Sequence, residues 1–339
     1  TVLFAIPIGQ LLMMAFSGVL VSKFGSRKMI LFAEVLYAFV LFCMGSSSTV
    51  FQLILSLVAF GMMANLMNIA TNTQACLVEK MYGRNIMSSF HGLWSLGGFS
   101  GGIIGAVFAN TLLPIEAHFG AVLMMSLLII AIGFRYLVDD ATAKAEEENV
   151  QKFSFKTIDP ILFLLGLMGF AGMFCEGTVY DWSSVYFSSV VKPDEAFIRA
   201  GYVAGMGAMT LGRFLADGFV TKYGPARVLK VCGALILGGL WLAAALPYLI
   251  PATLGFLLVG FGISSSVPIC YSIAGKLGTI KASIAITIVS SISFFGFLVG
   301  PPVIGWLAEA TGLRIAISIA ACLGLMIAFV AAKVGKRIS

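Results

Sequence analysis

Charge is what this chain has least of. Only 11% of its 339 residues are Asp, Glu, Lys or Arg, where a soluble domain carries roughly a quarter. A water-exposed globular surface is therefore excluded for most of its length. The ten-residue alternating strands of a membrane β-barrel are missing too. Six cysteines (43, 76, 175, 232, 270 and 322) stand singly in apolar runs with no paired metal spacing, which reads as core packing. No phosphate-binding P-loop is present, so ATP-driven transport within the chain is not expected. There is no zinc-protease helix motif, serine-hydrolase elbow, deaminase signature or visible nucleophile–base pair either. The reading is a protein that is not an enzyme and needs no cofactor or metal. The net charge of +6 calls for no nucleic acid, because the cations sit in short loops.

What the chain does have is apolar sequence, 60% of it, with a mean hydropathy of +1.03. Runs of about 20 residues, long enough to cross a bilayer, follow one another almost without pause. Eleven spans are expected, at 2–22, 29–46, 51–78, 85–110, 118–138, 158–187, 198–220, 228–248, 252–275, 283–308 and 313–333. If the Lys23–Lys28 turn is cytoplasmic, seventeen of the 21 Lys and Arg fall on or near that side. Only Lys192, Arg199 and Arg314 fall opposite, and Arg213 lies within a span. The positive-inside rule then places the linker and the C-terminus in the cytoplasm.

The chain is also internally repeated. The basic turn Ser22-Lys23-Phe24-Gly25-Ser26-Arg27-Lys28 returns as Thr221-Lys222-Tyr223-Gly224-Pro225-Ala226-Arg227, with the glycines 199 residues apart. The same offset relates Gly61 to Gly260, Gly97 to Gly296 and Gly101 to Gly300. Applied to the span at 158–187, it points to about forty residues ahead of Thr1. One further helix and a leader are thus expected there, giving twelve helices as two parallel six-helix halves. Residues 1–138 are the N-terminal half, 139–157 (beginning DDATAKAEEENV) a cytoplasmic linker, and 158–339 the C-terminal half.

Specific stretches carry a family resemblance. Gly18-Val19-Leu20-Val21-Ser22-Lys23-Phe24-Gly25-Ser26-Arg27-Lys28 resembles the loop signature of the major facilitator superfamily, with Ser22 where that signature has aspartate. The second copy keeps an acid slightly upstream, in Gly212-Arg213-Phe214-Leu215-Ala216-Asp217. NIATNTQACLVE (68–79), MSSFHGLWSLGG (87–98), EGTVYDWSSVY (176–186) and GFLVGPPVIGWLAE (296–309) are similar to a bacterial branch of fucose-permease-like and YbjJ-type transporters. The resemblance implies an inner-membrane secondary transporter, expected to be monomeric. It would work by alternating access, with substrate bound near the midplane between the halves. It also implies that the spans 51–78, 158–187 and 252–275 line the central cavity.

The residues add candidates of their own. Asn65, Asn68 and Asn72 fall at i, i+3 and i+7, one helical stripe, and amides in hydrocarbon must face protein or water. Ser264, Ser265, Ser266 and Tyr271 surround Pro268, which is expected to kink its span. Glu176 and Asp181 are intramembrane carboxylates, functional candidates by default. Burial would raise such an acid's pKa toward the range proton coupling needs. Tyr180 shares the Glu176 face. His91 can bind substrate, titrate or simply pack, and Trp94 can stack on a sugar or pack. Substrate binding is therefore assigned to Asn65, Asn68, Asn72, His91, Trp94, Glu176, Tyr180, Ser265 and Tyr271. Proton coupling is assigned to Glu176 or Asp181. Gating is assigned to Lys23 and Arg27, to Glu79 with Lys80 and Arg84, and to Arg213 pairing with Asp217 four residues on. The glycine row Gly97, Gly101, Gly105 predicts close helix contact, and Pro301-Pro302 a bent or broken helix. The expected function is proton-coupled uptake of a small polar solute such as a sugar. The alternative is proton-antiport efflux of amphipathic compounds, which a Met- and Phe-rich interior would suit.

Overall fold

A computed structural model describes residues 2–139 and 158–338, and among these the chain is helical with no strand. The linker expected at 139–157 lies, apart from Asp139, outside the described residues. The helices are α1 (Ala5–Phe24), α2 (Ser26–Gly45), α3 (Val50–Tyr82), α4 (Met87–Ala109), α5 (Ile115–Gly133), α6 (Pro160–Tyr186), α7 (Ala200–Tyr223), α8 (Pro225–Ala245), α9 (Leu249–Ser264), α10 (Ser266–Lys276), α11 (Ala282–Thr311) and α12 (Leu313–Ile338). Every expected span is helical, and the ninth is split into α9 and α10. Counting that pair as one span, ten helical spans among the described residues are long and apolar enough to cross a membrane. The remaining helix, α7, has comparable length but carries Arg213, Asp217 and Lys222.

The α9–α10 break has a local cause. Pro268 has no N–H to give the carbonyl of Ser264, four residues back. The helix parts at Ser265, and the hydroxyls of Ser264 and Ser266 bond the carbonyls of Phe261 (2.7 Å) and Gly262 (3.1 Å). Pro301-Pro302, by contrast, do not break their helix: α11 runs through both. The freed Pro301 region is held from outside, where Trp182 Nε1 donates to the Pro301 carbonyl at 3.0 Å.

By proximity the chain forms two compact units. One comprises Thr1–Tyr82, Gly97–Ile158 and Gly275–Thr287; the other comprises Gly83–Leu96, Asp159–Ala274 and Ile288–Ser339. The helices α4 and α11 each contribute to both, so these units do not follow chain order. The division into sequential halves at the linker is a proposal from the repeat.

In the first unit α3 packs against α1 and α2, and α2 against α5. In the second, α8 packs with α12 and α9, and α9 with α7. The core of the second unit is built on Tyr186, Phe187 and Phe256, whose ring centroids lie 5.8–6.4 Å apart. The Tyr186 hydroxyl is satisfied by the Ala243 carbonyl at 2.7 Å.

The repeat is visible in backbone geometry. Gly25 (φ 92°) and Gly224 (φ 81°) both take the positive φ that favours glycine. Each donates to the carbonyl four residues back, Val21 and Val220, at 2.9 Å. A Cβ on Gly61 would strike the Ile6 carbonyl, and one on Gly260 the Gly205 carbonyl, again 199 positions on. The glycine row of α4 behaves differently from the prediction. Nothing among the described residues lies within 4 Å of a Cβ at Gly97, Gly98, Gly101, Gly102 or Gly105. Its counterparts Gly296 and Gly300 do make the predicted close contact, against α6 at Phe170 and Phe174.

Candidate functional site

The chemistry of the second unit gathers around Arg213. Helix α6 starts on Asp159, whose carboxylate accepts from Ile161 N at 2.9 Å and pairs with Arg337 of α12 at 2.7 Å. Seventeen residues on, α6 presents Glu176, which is 7% exposed, while Arg213 of α7 is 4% exposed. Arg213 Nη2 lies 3.5 Å from Glu176 Oε1, at the outer limit of a hydrogen bond. Its Nη1 donates to Ser95 Oγ of α4, and its Nε has no partner among the described residues. Opposite charges at one depth offset the cost of burying either alone.

Around it stand two phenols and an imidazole. The His91 ring meets Tyr271 edge-on at 5.8 Å, and Tyr271 is within hydrogen-bonding reach of Ser290. Tyr180 packs edge-on to Tyr202 at 6.0 Å and Phe297 at 6.3 Å. Both Tyr180 and Tyr271 lie within range of the Glu176 charge, and His91 within range of Arg213. Glu176, Tyr180, Tyr271 and His91 are thus brought together. Asp181 is not: it is exposed, on the far side of α6, as its one-residue step from Tyr180 requires. Trp94 is 65% exposed. Ser265 turns away as well, with its hydroxyl 3.1 Å from Ser264 Oγ and bonded to Cys232 of α8.

The predicted Arg213–Asp217 pair does not form. Asp217 reaches the start of α4, where Oδ1 accepts from Ser88 N (3.0 Å) and Oδ2 from Ser89 N (2.7 Å) and Ser89 Oγ (2.6 Å). A carboxylate on free N–H groups at a helix N-terminus, with the helix dipole behind them, is a stronger partner than a neighbour on the same helix. Asn85 Nδ2 adds a bond to Thr221 Oγ1 at 3.4 Å. Arg84 is exposed.

In the first unit the asparagine stripe is not uniform. Asn65 and Asn72 are buried and Asn68 is exposed. Ser17 Oγ of α1 bonds Asn65 Oδ1 at 2.7 Å, and Asn72 Nδ2 donates to the Asn68 carbonyl at 2.9 Å. Glu79, expected beside Lys80 and Arg84, pairs with Lys276 at 2.7 Å. Arg27 lies over the Phe134 ring (4.6 Å) and 3.9 Å from Asp139, while Lys23 is exposed.

Sequence reasoning missed Ser88, Ser89, Ser95 and Lys276. Ser88 and Ser89 had a signal, a Ser-Ser pair opening a helix, which is where capping residues concentrate, whereas Ser95 lies within α4. Lys276 had none, being 197 residues from Glu79 in the sequence.

Comparison with known proteins bears on this arrangement. The family model described as Major Facilitator Superfamily matches residues 1–279. An uncharacterized MFS-type transporter of Yersinia pestis is 33% identical over 334 residues, 97% of this chain and 84% of that protein. Three solved structures share the fold. The E. coli fucose:proton symporter FucP has TM-score 0.68 and 17% identity, over 98% of this chain and 89% of its own. The proton:xylose symporter XylE has TM-score 0.75 and 14% identity, over 100% and 85%. The human organic anion transporter MFSD10 has TM-score 0.77 and 17% identity, over 96% and 82%.

Proposed function

The chain belongs to the Major Facilitator Superfamily and is a membrane transporter rather than an enzyme, and from that premise we propose that it takes up a small polar solute such as a sugar together with a proton. It works by alternating access in a bacterial inner membrane, with its C-terminus in the cytoplasm and within the fucose-permease-like, YbjJ-type branch. The observation that carries the reading is the buried Glu176–Arg213 contact at 3.5 Å. Protonation of Glu176 removes the charge that holds Arg213 and leaves a guanidinium with unused donors, Nε among them. A neutral solute's hydroxyls can take those donors. Proton and solute then bind together more readily than either alone, which is the thermodynamic content of symport. Tyr180, Tyr271 and His91 supply further hydrogen-bonding groups and ring surfaces, and Asn68 is a candidate on the first unit. That two fold neighbours are sugar:proton symporters supports the substrate class. Asp217 on Ser88 and Ser89, Glu79 on Lys276, and Arg27 on Asp139 are assigned to gating, because each contact ties together different helices or segments and can break and re-form.

The test is transport by the purified protein in proteoliposomes holding a pH-sensitive dye. Adding one sugar of a panel is expected to acidify the interior, and Glu176→Gln is expected to abolish that signal while leaving solute binding measurable. Alkalinisation on adding an amphipathic cation would replace this reading with antiport efflux. Sugar flux unaccompanied by a pH change would remove the proton.

A further inference from the structure

A concavity lies along a face of α7 that does not include Arg213. It is a groove of about 600 Å³ between α7, α8 and α9, within the range of about 300–1,000 Å³ typical of ligand pockets. Small residues (Gly212, Ala216) form its floor and Leu215, Phe219 and Val231 its walls. Those three wall residues are more than half exposed, so the groove opens outward. Away from its Tyr223–Arg227 end, its hydroxyls are those of Ser264 and Ser265, which are bonded to the Phe261 carbonyl and to each other. A water-soluble ligand has almost nothing to bond there.

Two features identify the occupant. The first is length. The α7 lining runs from Gly212 to Tyr223, eleven helical steps or about 16 Å, close to half of a hydrocarbon core of about 30 Å. The groove therefore has the length of one leaflet. The second is charge. Its outer end is Arg227, in the first turn of α8 beside the Gly224 turn. Arg227 makes no hydrogen bond or ion pair among the described residues, and Lys222 and Lys230 flank it in the chain. A one-leaflet apolar groove ending in an uncompensated cation at the membrane surface is complementary to one lipid class. We propose that it binds an anionic phospholipid, with one acyl chain laid between α7, α8 and α9 and the phosphate on Arg227. The site shares no side chain with the proposed transport chemistry and stands independently of it.

Native mass spectrometry of the full chain, released from detergent with added phosphatidylglycerol or phosphatidylcholine of matched acyl chains, tests this. The unaltered protein is expected to hold phosphatidylglycerol about fivefold more tightly than phosphatidylcholine, the attraction expected of one basic residue near an anionic headgroup. Arg227→Gln should erase that preference and Arg227→Lys should keep it. Val231→Trp, which fills the groove from its exposed wall, should reduce adducts of both lipids. An unchanged preference in Arg227→Gln overturns the headgroup assignment. Undiminished binding in Val231→Trp overturns the groove. Displacement of the lipid adduct by an amphipathic cation, with no effect of Arg227→Gln on that displacement, would make it a site for a different ligand.

Discussion

Glu176 and Arg213 show how far single residues can be read. Both were conspicuous as charges within apolar spans, and the sequence offered Arg213 an acid four residues away on its own helix. The structure gives it another partner because an intramembrane charge is paired by depth and helix face, not by chain proximity. A consequence can be measured. Arg213→Ala leaves Glu176 buried without a counter-charge and is expected to lower stability by about 3–5 kcal/mol. The double replacement Arg213→Ala with Glu176→Ala should recover part of that loss, giving a positive coupling energy in a double-mutant cycle read by thermal unfolding in detergent. Additive losses would mean the 3.5 Å contact carries no energy. Asp217 makes a separate prediction. Asp217→Ala removes three acceptor contacts from the start of α4 and should cost about 1–2 kcal/mol, the range of a lost helix cap. Asp217→Asn, which keeps an acceptor, should lose less.

At the scale of the helix, glycines fix how closely elements approach. Gly233 of α8 and Gly324 of α12 face each other, and a Cβ on Gly233 would lie 2.8 Å from the Ala328 nitrogen. Gly233→Leu is therefore expected to destabilise the second unit by about 1–3 kcal/mol or more through overpacking, seen as a lower unfolding temperature. Gly238→Leu, at a position with nothing within 4 Å, should be near neutral and serves as the control. These contacts were only partly legible beforehand. The pairing of Gly61 with Gly260 and of Gly25 with Gly224 could be read from a constant offset, because a duplicated fold repeats its tightest points. The α4 row at Gly97 to Gly105 has the same spacing as other contact rows and yet meets nothing among the described residues. Spacing shows that a helix can be approached closely, and only the neighbour decides whether it is. The proline effects divide similarly: Pro268 accompanies a break at Ser265, while Pro301 and Pro302 sit within a continuous α11.

For the whole molecule, the testable quantity is orientation. The excess of Lys and Arg at the Lys23–Lys28 and Lys222–Lys230 turns predicts that both face the cytoplasm. Single cysteines introduced at Lys28 and Lys230 should react with a membrane-impermeant thiol reagent only after the cells are opened. One at Glu195, between α6 and α7, should react in intact cells. The native Cys322 is exposed and is replaced first to keep the background low. Labelling of Lys28 and Lys230 positions in intact cells would invert the topology.

The sequence by itself determined the class of this protein: helical, membrane-spanning, duplicated with a 199-residue offset, and similar to one transporter superfamily at several separate stretches. Those properties are written in hydropathy, charge placement and turn glycines, which act over one helix or one turn and so survive in one dimension. Only the tertiary structure decided which charges meet. It set Arg213 on Glu176 and Ser95, Asp217 on Ser88 and Ser89, and Glu79 on Lys276. It also placed Asp181 away from the Glu176 cluster, turned Ser265 toward α8, and left an apolar groove ending at Arg227. The reason is physical. A helix fixes which residues share a face, whereas the partner of a buried polar group depends on which other helix brings a complementary atom to the same depth. That choice is made by packing between segments far apart in the chain.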